Sequence, residues 1–214
     1  MRLIFLGPPG AGKGTQAAHL ARHLHLMHVS TGDILRRAIS YETPIGLEAK
    51  AYMHKGELVP DEITDLLVRE CLVRDGASTG FILDGYPRNL EQAKQLDESL
   101  DSVGASLDKV IDFIIDPRVV VSRLSGRRTC PKCQTPYHGV SRPPVRDGFC
   151  DLDGTELEHR IDDKEETILR RLEVYAEQTE PLTSFYEERG LLTKVDAVGD
   201  AEAVFERLLE AVKQ

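Results

Sequence analysis

The chain has 214 residues, of which 41% are hydrophobic and 29% charged, and its formal net charge is -9. This length suits one domain with a large core and inserted subdomains, and the negative charge argues against general nucleic-acid binding without excluding a local basic site for phosphates. Glycine and proline end the apolar start after six residues, too early for a signal peptide or membrane span. We therefore expect a cytoplasmic protein that binds neither nucleic acid nor membrane.

Short apolar runs alternate with helical patterns along the chain. The apolar runs predict buried strands at 2–6, 81–84, 110–115 and 191–195. Helical spacing and helix-start residues predict helices at 13–24, from about 33, at 61–75 and 90–100, from 117, from 163 to about 189, and at 201–212. This alternation predicts an α/β fold with a mostly parallel sheet, covered on both faces and binding ligands beyond the carboxyl ends of its strands. The segments 30–60 and 129–157 read as insertions that project from this core.

The segment GPPGAGKGT at 7–15 follows the first predicted strand and opens a helix. In that context its glycines let backbone N–H groups surround a phosphate, and Lys13 can reach the β- and γ-phosphates. One departure from the general pattern is that Gly14 follows the lysine, so the hydroxyl of Thr15 comes one position late for magnesium. Asp84, at the end of a buried strand, is the natural second anchor for magnesium, and a helix or turn cap is its alternative role.

A set of arginines shares a position beside a turn or near a helix end: Arg36, Arg88, Arg123, Arg127, Arg160 and Arg171. A single arginine is usually a solvated surface residue. The whole set, together with the phosphate loop, predicts a phosphoryl-transfer site, where positive charge must surround the transferred group. The acidic run DDKEE at 162–166 is interpreted as a solvated helix face, with Asp162 or Asp163 as candidates for contacts with the core.

Cys130 and Cys133 form a C-x2-C pair, and Cys150 opens a second possible turn sixteen residues later. A structural disulfide is not expected in the cytoplasm, and a redox pair would be expected at a helix start rather than in a proline-rich insertion. Sulfur and oxygen ligands on two turns suit tetrahedral zinc in a structural role. The expected fourth ligand is Asp153, with Asp151 and His138 as alternatives.

The phosphate loop, the segments STGDILR at 30–36 and DGYPR at 84–88, and the regions around the later arginines closely resemble adenylate kinase, in the order and spacing of that family and over essentially the whole chain. The resemblance implies a five-stranded P-loop nucleoside monophosphate kinase core at 1–29, 60–125 and 164–214. It implies an AMP-binding subdomain at 30–59 and a zinc-binding lid at 126–163. It also implies a monomer that uses Mg²⁺ and reversibly converts ATP and AMP into two ADP.

The same resemblance assigns individual roles. It implies that the ATP phosphates are held by Gly10, Ala11, Gly12, Lys13, Gly14 and Thr15. It implies further ATP contacts from Arg127, Pro136, Tyr137 and Gly199. It implies an AMP site formed by Thr31, Arg36, Glu57, Leu58, Val59, Gly85, Tyr86, Pro87, Arg88 and Gln92. Arg160 and Arg171 would bridge the phosphates of both nucleotides, and Arg123 would face them. Asp33 and Asp84 would order the water shell of magnesium.

The choice of monophosphate is less direct. Asn89 is similar to the pattern of UMP/CMP kinases, whereas Thr31 favours adenine by resemblance and Gln92 favours it by chemistry, since its amide can accept from the adenine amine and donate to a ring nitrogen. Tyr86 stands where the family more commonly has phenylalanine. The alternatives are a kinase that uses GTP with AMP or ATP with UMP or CMP, and, in another class, a non-catalytic nucleotide-binding zinc module.

Overall fold

The computed structural model describes residues 1–75 and 80–213. Its strands are β1 (Arg2–Leu6), β2 (Met27–Ser30), β3 (Phe81–Asp84), β4 (Lys109–Ile114), β5 (Arg127–Thr129), β6 (Pro136–His138) and β7 (Leu192–Asp196). Within the described residues, one five-stranded sheet has the order β2-β3-β1-β4-β7, and every neighbouring pair in it is parallel. The predicted parallel α/β fold is therefore confirmed.

The helices are α1 (Lys13–Leu24), α2 (Thr31–Ser40), α3 (Pro44–Lys55), α4 (Asp61–Asp75), α5 (Leu90–Asp101), α6 (Pro117–Ser125), α7 (Glu165–Val174), α8 (Pro181–Glu187) and α9 (Ala201–Lys213). The single long helix predicted over 163–189 is wrong. A π-helical turn at Tyr175–Thr179 separates α7 from α8, with Glu180 N–H bonded to Tyr175 O at 2.9 Å. Pro181 has no N–H, so it begins a new helix rather than continuing the old one.

The sheet has a separate apolar core on each face, because side chains alternate along each strand. On β1, Leu3 and Phe5 belong to one buried cluster, and Ile4 and Leu6 belong to the other. The first cluster also contains buried residues of α1, α6 and α9, whereas the second contains residues of α4, α5 and α8. Both faces are therefore covered by helices, which leaves the carboxyl ends of the strands as the place for a site.

The sequence patterns did not predict β2. It has only four residues, and His28 and Met27 within it are half-buried, so no periodicity marks it as a strand. The strand exists because it pairs with β3, with Met27 opposite Phe81 and Ser30 opposite Asp84. This register brings the start of α2 beside the carboxyl end of β3, where the phosphate-site residues gather.

Two small clusters lie outside the main core. Buried Leu35, Ala49, Met53 and Val59 pack α2 and α3 together. In the cysteine-rich segment, β5 and β6 form an antiparallel hairpin, and the buried apolar set there consists of Cys130, Tyr137 and Cys150. Among the helices in the described ranges, none combines the length and apolar character that a membrane crossing requires.

Candidate active site

The phosphate loop connects β1 to α1 at the carboxyl edge of the sheet. Gly7, Gly10 and Gly12 have φ values of 130°, 82° and 96°, which favour glycine. A Cβ on Gly7 would also lie 2.8 Å from Phe113 O, so the backbone itself packs against β4. No side chain caps α1 at Gly12. The first N–H groups of this helix are therefore available to a phosphate.

Lys13 lies within this loop. Its Nζ donates to Gly7 O at 2.6 Å and to Pro8 O at 2.9 Å. Burial lowers the pKa of Lys13 to about 8; Arg171 and Arg88 act in the same direction, and Asp84 opposes them. A phosphate placed here would give the ammonium an anionic partner and raise this pKa again.

Asp84 ends β3 directly beside the loop. Its Oδ2 lies 3.1 Å from the position that a Cβ on Gly14 would occupy, so a larger residue at 14 would crowd the carboxylate. On the other side, His28 Nε2 lies 3.5 Å from the same Oδ2. The sequence patterns gave no indication of His28, because the β2–β3 pairing brings it there.

Four of the predicted arginines gather around carboxylates that are buried or half-buried. Arg127 donates to both oxygens of Asp163, at 2.7 and 2.6 Å, and Arg171 Nη1 lies 3.0 Å from both Asp163 Oδ1 and Asp162 Oδ2. Asp162 is only 4% exposed and Asp163 only 1%. Their burial agrees with the exception made for them as candidates for contacts with the core, whereas residues 164–166 of the same run are exposed, as expected for a solvated helix face. The arginines make the burial of the two aspartates possible, because burying a carboxylate is costly unless it is paired with cations and hydrogen-bonded.

The remaining members join this group from other elements. Arg36 on α2 pairs with Asp33 at 2.5 Å and lies 3.9 Å from Asp162. Arg160 lies 4.0 Å from Asp33. Burial opposes the charge on Arg36, but the two aspartates more than offset it and raise its pKa. Burial raises the pKa of Asp162 less than its arginine neighbours lower it, so its pKa lies below the ordinary value.

Arg88 projects from the turn after β3. Its Nε donates to Gly85 O at 2.6 Å and its Nη2 to Thr31 Oγ1 at 3.3 Å, and Thr31 itself donates to Gly85 O at 2.7 Å. Burial, followed by the charges of Arg171 and Arg36, lowers the pKa of Arg88 to about 10. Among the residues that the structure describes, the Arg88 guanidinium has cations nearby and no short pair with a carboxylate, which favours the approach of an anion.

Arg123 does not join this group. Its Nη2 donates to the carbonyl oxygens of Ala197 and Gly199, at 3.1 and 3.2 Å. These hydrogen bonds hold the guanidinium beside the loop that follows β7. Arg123 nevertheless lines the same cavity as the phosphate loop and the other arginines, so the expectation that it faces the phosphates stays a prediction.

One cavity of about 1440 Å³ connects these groups. It is lined by all the residues predicted for the nucleotides and magnesium except Thr31, Val59, Tyr86 and Gln92. Those four are buried at 0–3% exposure. Tyr137 lines the cavity, yet only 4% of the residue is exposed and its hydroxyl lies 3.5 Å from Cys150 Sγ. Its ring therefore belongs to the small apolar cluster of the cysteine-rich segment, which leaves mainly its backbone exposed to the cavity.

The amide of Gln92 is already engaged. Its Oε1 accepts from Arg88 N–H at 2.8 Å, and its Nε2 donates to Asp61 Oδ1 at 2.7 Å and to Thr64 Oγ1 at 2.9 Å. Both amide hydrogens are therefore in use in this arrangement, and the expected contact of this amide with a base stays a prediction. Sequence patterns did not indicate Asp61 or Thr64, which lie on a different helix.

The cysteine-rich segment forms a compact set of metal-type ligands. The donor atoms of Cys130, Cys133, Cys150 and Asp153 all lie within 4.8 Å of one another. The alternatives are engaged elsewhere: Asp151 Oδ1 accepts from Val145 N–H at 2.8 Å, and His138 Nδ1 faces two backbone N–H groups. Three sulfurs and one carboxylate oxygen form a donor set that suits tetrahedral zinc.

The sheet order, the phosphate loop and the surrounding arginines define a protein of the P-loop nucleoside monophosphate kinase fold. A family model described as "Adenylate kinase" matches residues 5–191. The chain is 50% identical over 213 residues to an adenylate kinase of Acidothermus cellulolyticus, covering 100% of this chain and 98% of that protein, and 49% identical over 205 residues to one of Bacillus subtilis, covering 96% and 94%. An adenylate kinase of Streptomyces avermitilis is 47% identical, covering 100% and 98%. The chain belongs to the adenylate kinase family.

Proposed function

We propose that this protein catalyses the reversible transfer of the γ-phosphoryl group of ATP to AMP, giving two ADP. The observation that carries the proposal is the convergence of Lys13 with five arginines around one cavity. Those arginines are Arg36, Arg88, Arg127, Arg160 and Arg171. Phosphoryl transfer needs little covalent chemistry from the protein and depends on positioning and on positive charge around the transferred group.

In the proposed complex, the loop from Gly10 to Thr15 and Lys13 hold the ATP phosphates. Arg36 and Arg88, on the side of Thr31 and Gly85, hold the phosphate of AMP. An oxygen of that phosphate attacks the γ-phosphorus in line, the bond to the β,γ-bridging oxygen breaks, and ADP leaves. Arg127, Arg160 and Arg171 would neutralise the charge that spreads over the transferred group.

The carboxylates of the site have a second role in this proposal. In the structure, Asp33, Asp162 and Asp163 balance the arginines. Because phosphates would compete for the same guanidinium groups, the aspartates keep the cations oriented without substrate and yield part of their hydrogen bonding when it arrives. Such preorganisation reduces the reorganisation needed at the moment of reaction.

Asp84 and Asp33 are the proposed magnesium ligands, acting through water. The position of Asp84 Oδ2 beside Gly14 and the phosphate loop supports this, since carboxylate oxygens are the donors that Mg²⁺ prefers. Bound with ATP, the ion would neutralise charge on the phosphates. Because the Thr15 hydroxyl comes one position late in the sequence for magnesium, Asp84 would contribute more to holding the ion.

We also propose a structural zinc ion held by Cys130, Cys133, Cys150 and Asp153 in a lid at 126–163, with an AMP-binding subdomain at 30–59. The short apolar set in the lid supports this role, because so few buried residues cannot stabilise a fold alone. Four protein ligands leave no open position for chemistry. The ion would cross-link the two turns of the segment that carries Arg127 and Arg160.

ADP formation in a coupled assay tests the proposal. ATP is combined with AMP, GMP, UMP or CMP, and GTP is compared with ATP as donor. We expect turnover with ATP and AMP to exceed every other pair by at least about tenfold in kcat/KM. Absence of turnover with AMP would overturn the proposed reaction, and a preference for UMP or CMP would support the pyrimidine alternative.

Two arginine variants make the test residue-specific. Arg171→Ala removes a cation from the cavity and is expected to lower kcat/KM by about 10³-fold. The matched control is Arg118→Ala, because Arg118 is exposed and pairs with Asp116 at the start of α6. We expect the control to retain activity within about twofold.

A further inference from the structure

The side chain of Gln92 has one orientation that its partners allow. A backbone N–H can only donate, so Arg88 N–H requires the amide oxygen, and the Asp61 carboxylate can only accept, so it requires the amide nitrogen. A reversed amide would place two donors together at Arg88 and two acceptors together at Asp61. Since Gln92 is 1% exposed, water cannot readily relieve either conflict.

Thr64 binds the second amide hydrogen. Its hydroxyl group lies 3.2 Å from Asp61 O and 3.5 Å from Pro60 O and donates in that direction. The hydroxyl oxygen is therefore left to accept from Gln92 Nε2, at 2.9 Å. Both amide hydrogens are thus used on α4. Within the described part of the chain, the position on the Gln92 amide that has no partner is the second lone pair of Oε1.

Asn89 in turn holds Asp61 in place. Its Nδ2 lies 3.1 and 2.9 Å from the two carboxylate oxygens of Asp61, and its Oδ1 accepts from Gln92 N–H at 2.9 Å. One asparagine therefore caps α5 and ties it to the first residue of α4. Asn89, which departs from the common family pattern, therefore fixes the Asp61 carboxylate that binds the Gln92 amide.

We propose that Asp61, acting through Gln92, makes the monophosphate site select 6-aminopurine over 6-oxopurine nucleotides. This inference rests on the proposed function and on the role at the base of AMP that the resemblance implies for Gln92. The free lone pair of Oε1 can accept from the exocyclic amine of adenine. It meets only another acceptor in the 6-carbonyl of IMP, which a site built to pair with a donor rejects strongly. Asp61 and Thr64 are positioning residues, since neither needs to touch the substrate.

Asp61→Asn is the main test, because an asparagine can offer either a donor or an acceptor to Gln92. We expect the ratio of kcat/KM for AMP to that for IMP to fall at least about tenfold. The change should arise from a higher KM for AMP and a lower KM for IMP, with kcat for AMP within about threefold of wild type. Glu62→Gln makes the same chemical change at the next, exposed residue of α4, and its ratio should stay within about twofold.

Two variants at Thr64 keep the test decisive should Asp61→Asn fold poorly. Thr64→Val removes the acceptor of the second amide hydrogen and should lower the AMP-to-IMP ratio about threefold, whereas Thr64→Ser keeps the hydroxyl and should restore it. A ratio within twofold of wild type in a folded Asp61→Asn protein, or in Thr64→Val, would overturn the inference. Dissociation constants of Asp61→Asn for AMP and IMP, measured by calorimetry, test the role of Asp61 in binding independently of turnover. Absence of wild-type turnover would count against the proposed function alone.

Discussion

Arg127 and Asp163 form a two-point ion pair, with Nε to Oδ2 at 2.7 Å and Nη2 to Oδ1 at 2.6 Å. The same carboxylate lies 3.0 Å from Arg171 Nη1, so one buried aspartate orients two arginines of the cavity. The two arginines come from different segments, β5 and α7. This carboxylate therefore couples the proposed lid to the core at the point where the phosphates would lie.

Asp163→Asn is expected to lower kcat by about 10- to 100-fold, because an amide has one acceptor oxygen and no charge to hold both guanidinium groups. Steady-state kinetics with ATP and AMP measure the effect, and thermal unfolding shows whether the fold persists. Glu165→Gln provides a matched control at an exposed residue in the first turn of α7 and should behave as wild type. Wild-type kcat and KM values in Asp163→Asn would contradict the positioning role.

Lys13 gives the proposed ATP site a specific pH dependence. Burial lowers its pKa to about 8 in the empty site, and bound phosphates should raise it. The bound pKa is thus the higher one, so ATP affinity is fully present below pH 8 and weakens as pH rises through that value, by up to about tenfold per pH unit. We expect the KM for ATP to rise between pH 8 and 9.5 while the KM for AMP changes less.

Calorimetry of ATP binding in buffers with different ionisation enthalpies tests the same coupling directly. Near pH 8.5 we expect uptake of about half a proton or more per bound ATP, and at pH 6.5 close to none from Lys13. Proton release at pH 8.5, or a KM for ATP that is flat across this range, would show that Lys13 is not the group responsible.

The sequence predicts those parts of the site that short segments define. A strand, a glycine-rich turn and a helix start suffice for the phosphate loop, and the cysteine spacing suffices for the ligand cluster. Contacts between segments far apart in the chain could not be predicted from these patterns. Gln92 meets Asp61 across 31 positions, and the burial of Asp162 and Asp163 depends on arginines from α2, β5 and α7.

Two of the features of the fold that the sequence patterns did not predict, strand β2 and the break between α7 and α8, have related causes. β2 has no periodicity of its own and depends on its hydrogen bonds to β3. The break between α7 and α8 lies in a sequence with continuous helical spacing, where Pro181 ends the hydrogen-bond pattern without interrupting the apolar face. In both cases backbone hydrogen bonding decides the structure, and the spacing of apolar residues does not indicate it.

Removal of the metal from the proposed zinc site should loosen the lid and leave the core folded. The buried apolar set of the lid is small, and metal binding supplies on the order of 10 kcal/mol in small zinc modules. We expect about one zinc ion per chain by elemental analysis and a melting temperature lowered by at least about 5 °C after chelation. An unchanged melting curve after verified metal loss would contradict a structural role.

The fourth zinc ligand can be tested with a matched pair of variants. Asp153→Ala removes an oxygen that lies 3.5 Å from Cys130 Sγ, whereas Asp151→Ala removes one that accepts from Val145 N–H. Both side chains are exposed. We expect zinc affinity to fall at least about tenfold in Asp153→Ala and to change less than about threefold in Asp151→Ala. The reverse order would assign the ligand to Asp151.

Tyr86, where the family more commonly has phenylalanine, is expected to contribute to stability through its hydroxyl. The ring is 3% exposed and the hydroxyl bonds to Asp65 on α4, while burial raises the pKa of both groups. Tyr86→Phe leaves that carboxylate without its donor, so we expect the free energy of unfolding to fall by about 1 kcal/mol in urea titrations. Tyr41→Phe, at a 70% exposed ring, should change it by less than about 0.5 kcal/mol. A double-mutant cycle with Asp65→Asn should give a coupling energy of about 1 kcal/mol, and a cycle with no coupling would place any loss of stability outside this hydrogen bond.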